Sequence, residues 1–268
     1  NIGSTLGRRL PMYDVTKLVS QTVFDMLMKL LPTPKQQKRG RKRIAKQSIL
    51  NGILQVLVNG IAWRKIAQCG ASPVSCWRYF HELQRRGNLK LLHDALAREH
   101  TDVIEGAIDT TTATSFRFER MTGWDGKHKK IGSKISLFAD KNGLPADVQF
   151  GKGSHHDGSF VLGHIKKTAG RRKRMLHLDK IYASVELRRT MRQKGTHINM
   201  ETRSRDYIRK RGPKFRFDAE KYKTRFLVER LNAWLKNFWR VRIRRDRLPA
   251  MYKGFVYLGL IIILLRQS

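Results

Sequence analysis

Residues 134–150, KISLFADKNGLPADVQF, decide the fold, because they carry the clearest strand signals in the chain. Polar and apolar residues alternate in Lys134–Ala139 and again in Ala146–Phe150, which is the two-residue period of a half-buried strand. Between the two runs stands Asp140-Lys-Asn-Gly143, and Asn-Gly favours a tight hairpin turn because both residues tolerate positive φ. This stretch therefore predicts an antiparallel hairpin.

The elements around this hairpin predict a mixed sheet. A short apolar run from Val103 to Asp109 predicts a strand before the hairpin, and that strand ends in an acid. Helices and strands then alternate and end in a long helix, at about 158–168, 175–179, 184–194, 196–200 and 218–239. The order β-β-β-α-β-α-β-α resembles that of an RNase H-like domain, which is an α/β (α+β) fold.

The first hundred residues carry helix signals instead. Helices are predicted at about 15–30, 44–58 and 61–68, and Ser72-Pro73 starts another with a candidate N-cap followed by proline. The last two helices have the outline of a helix-turn-helix, whose second helix would enter the major groove. An ordinary helical hairpin is the alternative, and we prefer it for three aromatic residues that we expect in the core, Trp63, Trp77 and Phe80.

Domain organisation follows from this change of pattern. Hydrophobic residues make up 40% of the chain, which is enough to bury a sizeable core. We predict a disordered tail over residues 1–11, a helical DNA-binding domain over 12–100 and an RNase H-like catalytic domain over 101–268.

Two features indicate a cytoplasmic protein without a membrane partner. The longest apolar run, Phe255 to Leu265, spans 11 residues, whereas a helix needs about 20 to cross a bilayer. It is therefore predicted to be a core helix. The two cysteines, Cys69 and Cys76, match no zinc or disulfide pattern, so we expect buried thiols in a reducing compartment.

Charge is the strongest compositional signal. The 56 Lys and Arg residues against 21 Asp and Glu give a formal net charge of +35, which opposes compaction by self-repulsion. Such an excess indicates a polyanionic partner, and double-stranded DNA of the bacterial nucleoid is the one we expect. A membrane surface and ribosomal RNA are the alternatives. Basic clusters lie at 38–43, 171–174, 205–211 and 240–247, and the candidates for contact with DNA are Arg39, Arg41, Lys42, Arg43, Arg64, Ser75 and Arg78.

Two acids stand at the ends of predicted strands, Asp109 and Asp179. A carboxylate at such a position is costly to bury without a partner, and a divalent cation is the usual partner. Phosphoryl transfer on DNA commonly uses two such ions, one activating the attacking oxygen and one stabilising the leaving oxygen. Holding two ions takes carboxylates from separate elements, so a third acid is expected elsewhere in the fold.

The long helix supplies that acid, Glu229. At about 100° per residue, Tyr222, Arg225, Glu229 and Lys236 fall on one stripe of the helix. The opposite face is apolar and is predicted to contact the core through Leu227, Val228, Leu231, Trp234, Leu235 and Phe238. The alternative is a solvated face in which Arg225 and Glu229 pair at i,i+4 spacing, and the helix on its own favours that alternative.

Several motifs resemble those of insertion-sequence transposases. Tyr222-x2-Arg225-x3-Glu229-x6-Lys236 resembles their Y-(2)-R-(3)-E-(6)-K signature. Leu178-Asp-Lys-Ile-Tyr182 resembles the Asp-Lys-x-Tyr segment around their second catalytic acid, and Ile108-Asp-Thr-Thr111 resembles the strand that carries the first. Four N-terminal segments are similar to the N-terminal domain of the insertion sequence 5 family, at 30–32, 39–43, 51–54 and 60–64. The resemblance covers nearly the whole chain.

This resemblance implies a metal-dependent DNA transposase of the DDE type. Asp109, Asp179 and Glu229 would form the catalytic triad and hold Mg²⁺ or Mn²⁺, with two ions expected per site. The enzyme would nick DNA at the terminal inverted repeats of the element and transfer the freed 3′-hydroxyl into target DNA. It would act as a homodimer on DNA, because synapsis joins two ends.

The resemblance also implies supporting roles around the triad. Arg225 and Lys236 would position or neutralise phosphate oxygens, and Tyr222 would pack against a sugar or base. His156-Asp157 resembles a pair near the active site of the family, and a loop-capping pair is the alternative. The family often has another acid after the tyrosine at 182, where this chain has Ala-Ser.

Three other functions stay open. A domesticated RNase H-like nuclease would lack flanking inverted repeats in the genome. A non-catalytic DNA-binding regulator would use the helix-turn-helix alone, and an intact acidic triad argues against it. A ribosomal RNA-binding protein would show no cleavage that depends on divalent ions.

Overall fold

The computed structural model of the chain describes residues 14–33, 43–69, 72–167, 174–182, 184–201 and 217–267. Several predictions lie outside these ranges: the tail over 1–11, the contacts of Arg39, Arg41 and Lys42, and the basic cluster at 205–211. Of the cluster at 171–174 only Arg174 is described, and it is buried. The side chain of Cys69 also lies outside the description, whereas Cys76 is buried as expected.

Four helices form the N-terminal region: α1 (Gln21–Leu30), α2 (Lys46–Asn59), α3 (Pro73–Arg85) and α4 (Asn88–His100). The predicted start of α3 is confirmed, because the Ser72 side chain accepts a hydrogen bond from the Ser75 amide and Pro73 is the first helical residue. Two predicted helices differ. The first is divided into a 3₁₀ turn, Val15–Lys17, and α1, and the segment at 61–68 forms a 3₁₀ helix, Trp63–Cys69. The first half of the helix-turn-helix outline is therefore not an α-helix.

Within the described residues, seven strands form one mixed sheet: β1 (Glu105–Ser115), β2 (Gly123–Asp125), β3 (Lys130–Asp140), β4 (Pro145–Lys152), β5 (Arg174–His177), β6 (Thr196–Asn199) and β7 (Ile243–Arg244). The order is β2-β3-β1-β5-β6, with β4 paired to β3 and β7 paired to β1. The β1–β3 and β3–β4 pairs are antiparallel, whereas β1–β5 and β5–β6 are parallel. This is the mixed sheet that the element order predicts, with the short strands β2 and β7 added.

The β3–β4 hairpin is confirmed, but its turn differs from the predicted one. Only Gly143 has a positive φ, of 84°, while Asn142 does not. The Gly143 amide donates to the Asp140 carbonyl at 3.0 Å, and the Asp140 amide donates to the Leu144 carbonyl at 3.0 Å. The connection is therefore a three-residue loop with glycine in the left-handed position, not a two-residue Asn-Gly turn.

Two hydrophobic clusters cover the two faces of the sheet. On one face, β-strand residues such as Ile108 and Phe138 pack against α5 (Val161–Lys167) and α6 (Val185–Gln193). On the other face, Ile135 and Leu137 join α8 (Phe226–Lys236) and α10 (Pro249–Leu265). Two short helices, α7 (Ala219–Tyr222) and α9 (Trp239–Arg242), flank α8. The second cluster also takes in α1 to α4, so one core unites the N-terminal helices with the sheet.

Helix α10 confirms the predicted core helix. Its residues from Phe255 to Leu265 are all buried, and it contacts α3, α4 and α8. Among the described residues, no helix combines the length and the apolar character that a membrane span requires.

A chain of buried polar side chains links this sheet to α4 and α5. Ser136 Oγ lies 2.9 Å from His164 Nε2, and His164 Nδ1 lies 2.7 Å from Asp147 Oδ2. Lys167 then bridges Asp147 at 2.6 Å and Asp94 of α4 at 2.7 Å. Ser136, His164 and Asp147 are 0% exposed, so this Ser-His-Asp arrangement is closed to any substrate and supports the fold.

A substitution at Gly132 of β3 tests how closely β1 and β3 pack. A Cβ atom there would clash with the Ala113 carbonyl oxygen in β1, which is backbone and cannot rotate away. Gly132→Ala should therefore lower the free energy of unfolding by about 2 kcal/mol or more, measured by urea denaturation. Gly126→Ala is the control, because a Cβ there meets open space. Equal stabilities of the two variants would show that the strands tolerate the extra carbon.

Candidate active site

Asp109 lies in the middle of β1, which is the central strand of the sheet. The prediction that it ends a strand is wrong, because β1 continues for six more residues through a threonine-rich segment to Ser115. The Asp109 side chain is 23% exposed and accepts a hydrogen bond from Asn232 Nδ2 at 3.0 Å. Burial raises the pKa of Asp109 to about 6, although the Arg225 charge acts to lower it.

Asp179 stands beside Asp109 because of the register between two parallel strands. Ala107 of β1 pairs with His177 of β5, so each aspartate lies two residues beyond a paired position. Asp179 follows the end of β5 and caps a short 3₁₀ turn, since its Oδ1 accepts from the Ile181 amide at 3.0 Å. Its side chain is 33% exposed, and the second carboxylate oxygen takes no part in this cap.

Glu229 comes from α8, which packs on the same sheet through Val228, Leu231 and Leu235, all 0% exposed. The predicted continuous helix over 218–239 is wrong: α7 and a 3₁₀ turn, Lys223–Arg225, precede α8, and α9 follows it. The apolar face is nevertheless largely as predicted, except that Leu227 and Trp234 are only partly buried. Glu229 is 54% exposed and faces away from this core.

One guanidinium joins the three carboxylates. Arg225 Nη1 lies 2.6 Å from Glu229 Oε1, while Nη2 lies 3.4 Å from Asp179 Oδ2 and 3.7 Å from Asp109 Oδ1. The pKa of Arg225 is raised, because the charges of Asp109 and its neighbours outweigh the effect of burial. The i,i+4 ion pair that the helix favoured is therefore present, and it extends to both aspartates.

The positions of these carboxylates and of Arg225 determine whether the cluster can bind a metal ion. Carboxylate oxygens from three elements are the ligands that Mg²⁺ and Mn²⁺ prefer. Among the described residues, however, no group of three or more His, Cys, Asp or Glu side chains closes on a common point suited to a metal ion. Arg225 lies between the carboxylates, so the donor set fits a divalent cation only if the guanidinium moves out. The raised pKa of Asp109 marks a carboxyl that this one cation compensates incompletely.

The other predicted residues surround this cluster to different extents. Lys236 is exposed, and its pKa is lowered by desolvation and by the charge of Lys130, while Asp109 acts in the opposite direction. Tyr222 is half-buried, with ring centroids 5.1 Å from Phe217 and 6.5 Å from His177, so its ring packs against protein.

The His156-Asp157 pair makes local contacts. His156 Nδ1 accepts from the Gly158 amide at 3.1 Å, which is the loop-capping alternative. Asp157 is buried and pairs with Lys134 of β3 at 2.6 Å. Its charge acts on the Tyr182 hydroxyl, which the Asp109 charge also influences, so Asp157 borders the site through that tyrosine.

Two residues of the site were missed from sequence. Asn232 holds Asp109, and it lies three residues after Glu229, a spacing that places both on one side of a helix. Tyr182 is 2% exposed, and burial together with the Asp109 charge raises the pKa of its hydroxyl. Tyr182 belongs to the Asp-Lys-x-Tyr segment, so that motif already contained the signal.

The residues predicted to contact DNA differ in their exposure to solvent. Arg43, Arg64 and Arg78 are exposed, while Ser75 is half-buried. Trp63 and Phe80 pack in the core as predicted, but Trp77 is 38% exposed and stacks on His81, so the core prediction for Trp77 is wrong. In the basic cluster at 240–247 the arginines alternate between interior and surface: Arg240 and Arg244 are buried, whereas Arg242, Arg245 and Arg247 are exposed.

Two family models and two curated proteins match parts of this chain. A family model described as "Transposase DDE domain" matches residues 104–265, and one described as "Putative transposase of IS4/5 family" matches residues 19–93. The "Insertion element IS402 uncharacterized 16.2 kDa protein" of Burkholderia cepacia is 30% identical over 106 residues, which are 35% of this chain and 71% of that protein. The "Putative transposase for insertion sequence element IS402" of the same organism is 30% identical over 141 residues, which are 49% of this chain and 62% of that protein.

A solved structure shares the fold. The piggyBac transposase, in a synaptic complex with hairpin DNA determined by cryo-electron microscopy, superposes with a TM-score of 0.54 at 11% sequence identity. The superposition covers 96% of this chain and 73% of that one. Together with the DDE domain match, it confirms the predicted RNase H-like α/β fold with a helical N-terminal region.

Proposed function

The chain belongs to the transposase DDE domain family, and we propose that it cleaves DNA at the ends of an insertion sequence and joins the freed 3′-hydroxyl to target DNA. The observation that carries this proposal is the convergence of Asp109, Asp179 and Glu229 on Arg225 from three separate elements. A structural ion pair needs one carboxylate, and three around one guanidinium leave excess negative charge where a cation would bind.

These carboxylates are the proposed ligands for Mg²⁺ or Mn²⁺. Divalent ions held there would activate the attacking oxygen and stabilise the leaving oxygen. The Asn232 amide fixes one oxygen of Asp109, and the backbone amide of Ile181 fixes one of Asp179. Each aspartate therefore keeps its other oxygen directed by the fold, which is what preorganised ligation requires.

Arg225 has two proposed partners. Without DNA it neutralises the carboxylates, and with DNA its planar guanidinium would donate two hydrogen bonds to the phosphate beside the cleaved bond. Desolvation lowers the pKa of Lys236, and the charges of Lys130 and Arg242 lower it further, so positive charge is concentrated beside the carboxylates. Such a field would hold the DNA backbone in line with the attacking oxygen.

The N-terminal helices are proposed as the part that recognises the element ends, with 12–100 as the DNA-binding domain and 101–268 as the catalytic domain. Arg43, Arg64 and Arg78 are exposed there, and the net charge of +35 favours tight binding that weakens with salt. We also propose that two copies act together on DNA, because joining both ends of an element takes two active sites.

Cleavage of a labelled duplex from the DNA that flanks the gene tests this function. With Mg²⁺ or Mn²⁺, the wild-type chain should cut at a repeat boundary, and Glu229→Gln should slow the cut by about 1,000-fold or more. DNA binding should be unchanged, because Gln keeps the size of the side chain. Glu220→Gln is the matched control, since Glu220 lies on α7 and, among the described residues, forms an ion pair with Lys223 at the surface.

Tight binding without cleavage by the wild-type chain would instead support a DNA-binding regulator. Cleavage that survives Glu229→Gln would remove Glu229 from the site.

A further inference from the structure

Three aromatic side chains are exposed in the segment that follows β1, the strand that carries Asp109. Phe116 is 71% exposed, Phe118 is 72% exposed and Trp124 is 52% exposed, and all three lie in one segment of nine residues. We call these three residues the aromatic ridge. Scattered exposed apolar residues are normal, but three large rings in one short segment mark a surface that binds a partner.

The ridge is held rigidly. Ser133 Oγ donates to the Met121 carbonyl at 2.6 Å, and Arg244 Nη2 donates to the Arg120 carbonyl at 2.7 Å. Arg244 is only 2% exposed and also donates to Ser133 Oγ at 2.6 Å, so the buried guanidinium and Ser133 form a single clamp under the loop. These hydrogen bonds tie the loop to β3 and β7 at Arg120 and Met121, between Phe118 and Trp124.

Basic residues lie between the rings and shortly after the last of them along the sequence. Arg117, Arg120, Lys127 and Lys129 are exposed, and within the described residues none of them forms an ion pair with a carboxylate. Unpaired cations between exposed rings fit a nucleic acid, whose phosphates take the charges and whose bases offer flat faces. They disfavour a second copy of this chain, because its net charge of +35 would repel them.

The ridge lies within reach of the reacting DNA. Phe116 directly follows Ser115, the last residue of β1, which lies six residues and about 20 Å of extended chain beyond Asp109. A base-pair step is about 3.4 Å, so the ridge lies about six steps from the carboxylates. The turn between β2 and β3 carries Lys127, whose charge acts on Asp109, so this cation of the ridge segment also influences the site.

We propose that the aromatic ridge binds DNA whose bases are unpaired, with Phe116 and Phe118 stacking on bases about six nucleotides from the cleaved bond. In intact duplex the base faces are covered by their neighbours, whereas a frayed or nicked end exposes them. This inference rests on the proposed function, since it assigns a DNA contact to the same site.

Binding measured by fluorescence anisotropy in EDTA tests the proposal without any cleavage. The probes are a labelled oligothymidine of about 20 nucleotides and a duplex of equal length. Stacking of one base changes affinity by about 10-fold, so Phe116→Ala with Phe118→Ala should weaken oligothymidine binding by about 10-fold or more. Duplex binding should fall by less than about 3-fold, and the salt dependence of both should stay unchanged because no charge is lost.

Conservative variants separate stacking from general apolar contact. Replacing both phenylalanines with tryptophan should keep the affinity for oligothymidine, whereas replacing both with leucine should lose it. Leu91→Ala is the control, because Leu91 is 63% exposed on α4 and lies outside the ridge. Equal binding by the alanine and wild-type chains, or full binding by the leucine variant, would overturn the proposal.

These measurements distinguish failure of the stacking proposal from failure of the proposed transposase function. If the wild-type chain binds neither probe, the proposed transposase function itself is wrong. If the alanine variant binds normally but no longer forms a dimer in light scattering, the ridge is a contact between copies, and the stacking proposal is overturned while the catalytic one stands.

Discussion

Asp109→Asn is expected to abolish strand cleavage and, at the same time, to stabilise the metal-free protein. Cleavage should fall by about 1,000-fold or more, because the buried member of the proposed ligand set loses its charge. Stability should rise because the ionised carboxyl is unfavourable in the folded chain, where burial raises its pKa from 3.8 to about 6. Sites built for a cation commonly cost stability when the cation is missing.

The pH dependence of this effect has a defined sign. The folded chain binds the Asp109 proton more tightly than the unfolded chain, so the free energy of unfolding decreases as pH rises from about 4 to about 6. Asn carries no proton to lose, and the variant should not show this decrease. We expect Asp109→Asn to be more stable by about 1 to 3 kcal/mol at pH 7.5 and equally stable at pH 4, measured by urea denaturation in EDTA.

Asp125 provides the matched comparison, because its environment has the opposite effect. Burial would raise the pKa of Asp125, but hydrogen bonds from Thr112 and His128 outweigh it and lower the pKa to about 2. The folded chain therefore favours the ionised form above pH 4, and Asp125→Asn should destabilise the protein at pH 7.5. If Asp109→Asn were as destabilising as Asp125→Asn, the Asp109 carboxylate would be a structural ion pair and not a ligand position.

Arg225→Ala is expected to strengthen Mn²⁺ binding and weaken catalysis. The guanidinium competes with a cation for all three carboxylates, so its removal should raise Mn²⁺ affinity by about 10-fold or more, measured by calorimetry. DNA cleavage should nevertheless fall by about 100-fold, because the proposed contact with the phosphate is lost. If Arg225 had a purely structural role, its removal would lower both the Mn²⁺ affinity and the rate of DNA cleavage.

Arg230→Ala is the control for this experiment. Arg230 lies on α8, five residues after Arg225, but its guanidinium stacks on Phe226 and Trp234, and it forms no ion pair within the described residues. It should leave Mn²⁺ affinity unchanged. Unchanged affinity in Arg225→Ala as well would mean that the guanidinium does not occupy the cation position.

Much of the sheet could be predicted from sequence, because β3, β4 and β6 lie where their strand signals placed them, although β3 and β4 are buried on both faces over most of their length. The length of β1 was underestimated. Residues 110–115 are rich in β-branched threonine, which favours strands, but they lack the apolar alternation on which the prediction relied. Asp109 was consequently placed at an end and not at the centre of the sheet.

The candidate site also has one contact that could be predicted from sequence and others that could not. The proximity of Arg225 and Glu229 follows from helical spacing, and it is present at 2.6 Å. The approach of Asp109 and Asp179 depends on the register of two parallel strands that are separated by about seventy residues, which no local pattern contains. The position of Arg225 between all three acids depends further on the 3₁₀ turn before α8, where the helical period changes.

Exposure of single residues was the hardest feature to predict. Trp77 was expected in the core and is 38% exposed, while Arg240 and Arg244 were expected on DNA and are buried. In both cases the expected exposure followed from the residue type. The observed burial depends instead on which face of the helix or strand carries the residue. Arg240 forms a two-point ion pair with Asp246 at 2.8 and 2.9 Å, which compensates for its burial.

The position of Mn²⁺ in crystals of the chain, read from anomalous scattering, tests the central claim most directly. We expect Mn²⁺ against the carboxylates of Asp109 and Asp179, on the side that faces Glu229, with the Arg225 guanidinium moved away from all three. Mn²⁺ bound only at other residues, with Arg225 still between the three carboxylates, would contradict the assignment of this cluster as the catalytic metal site.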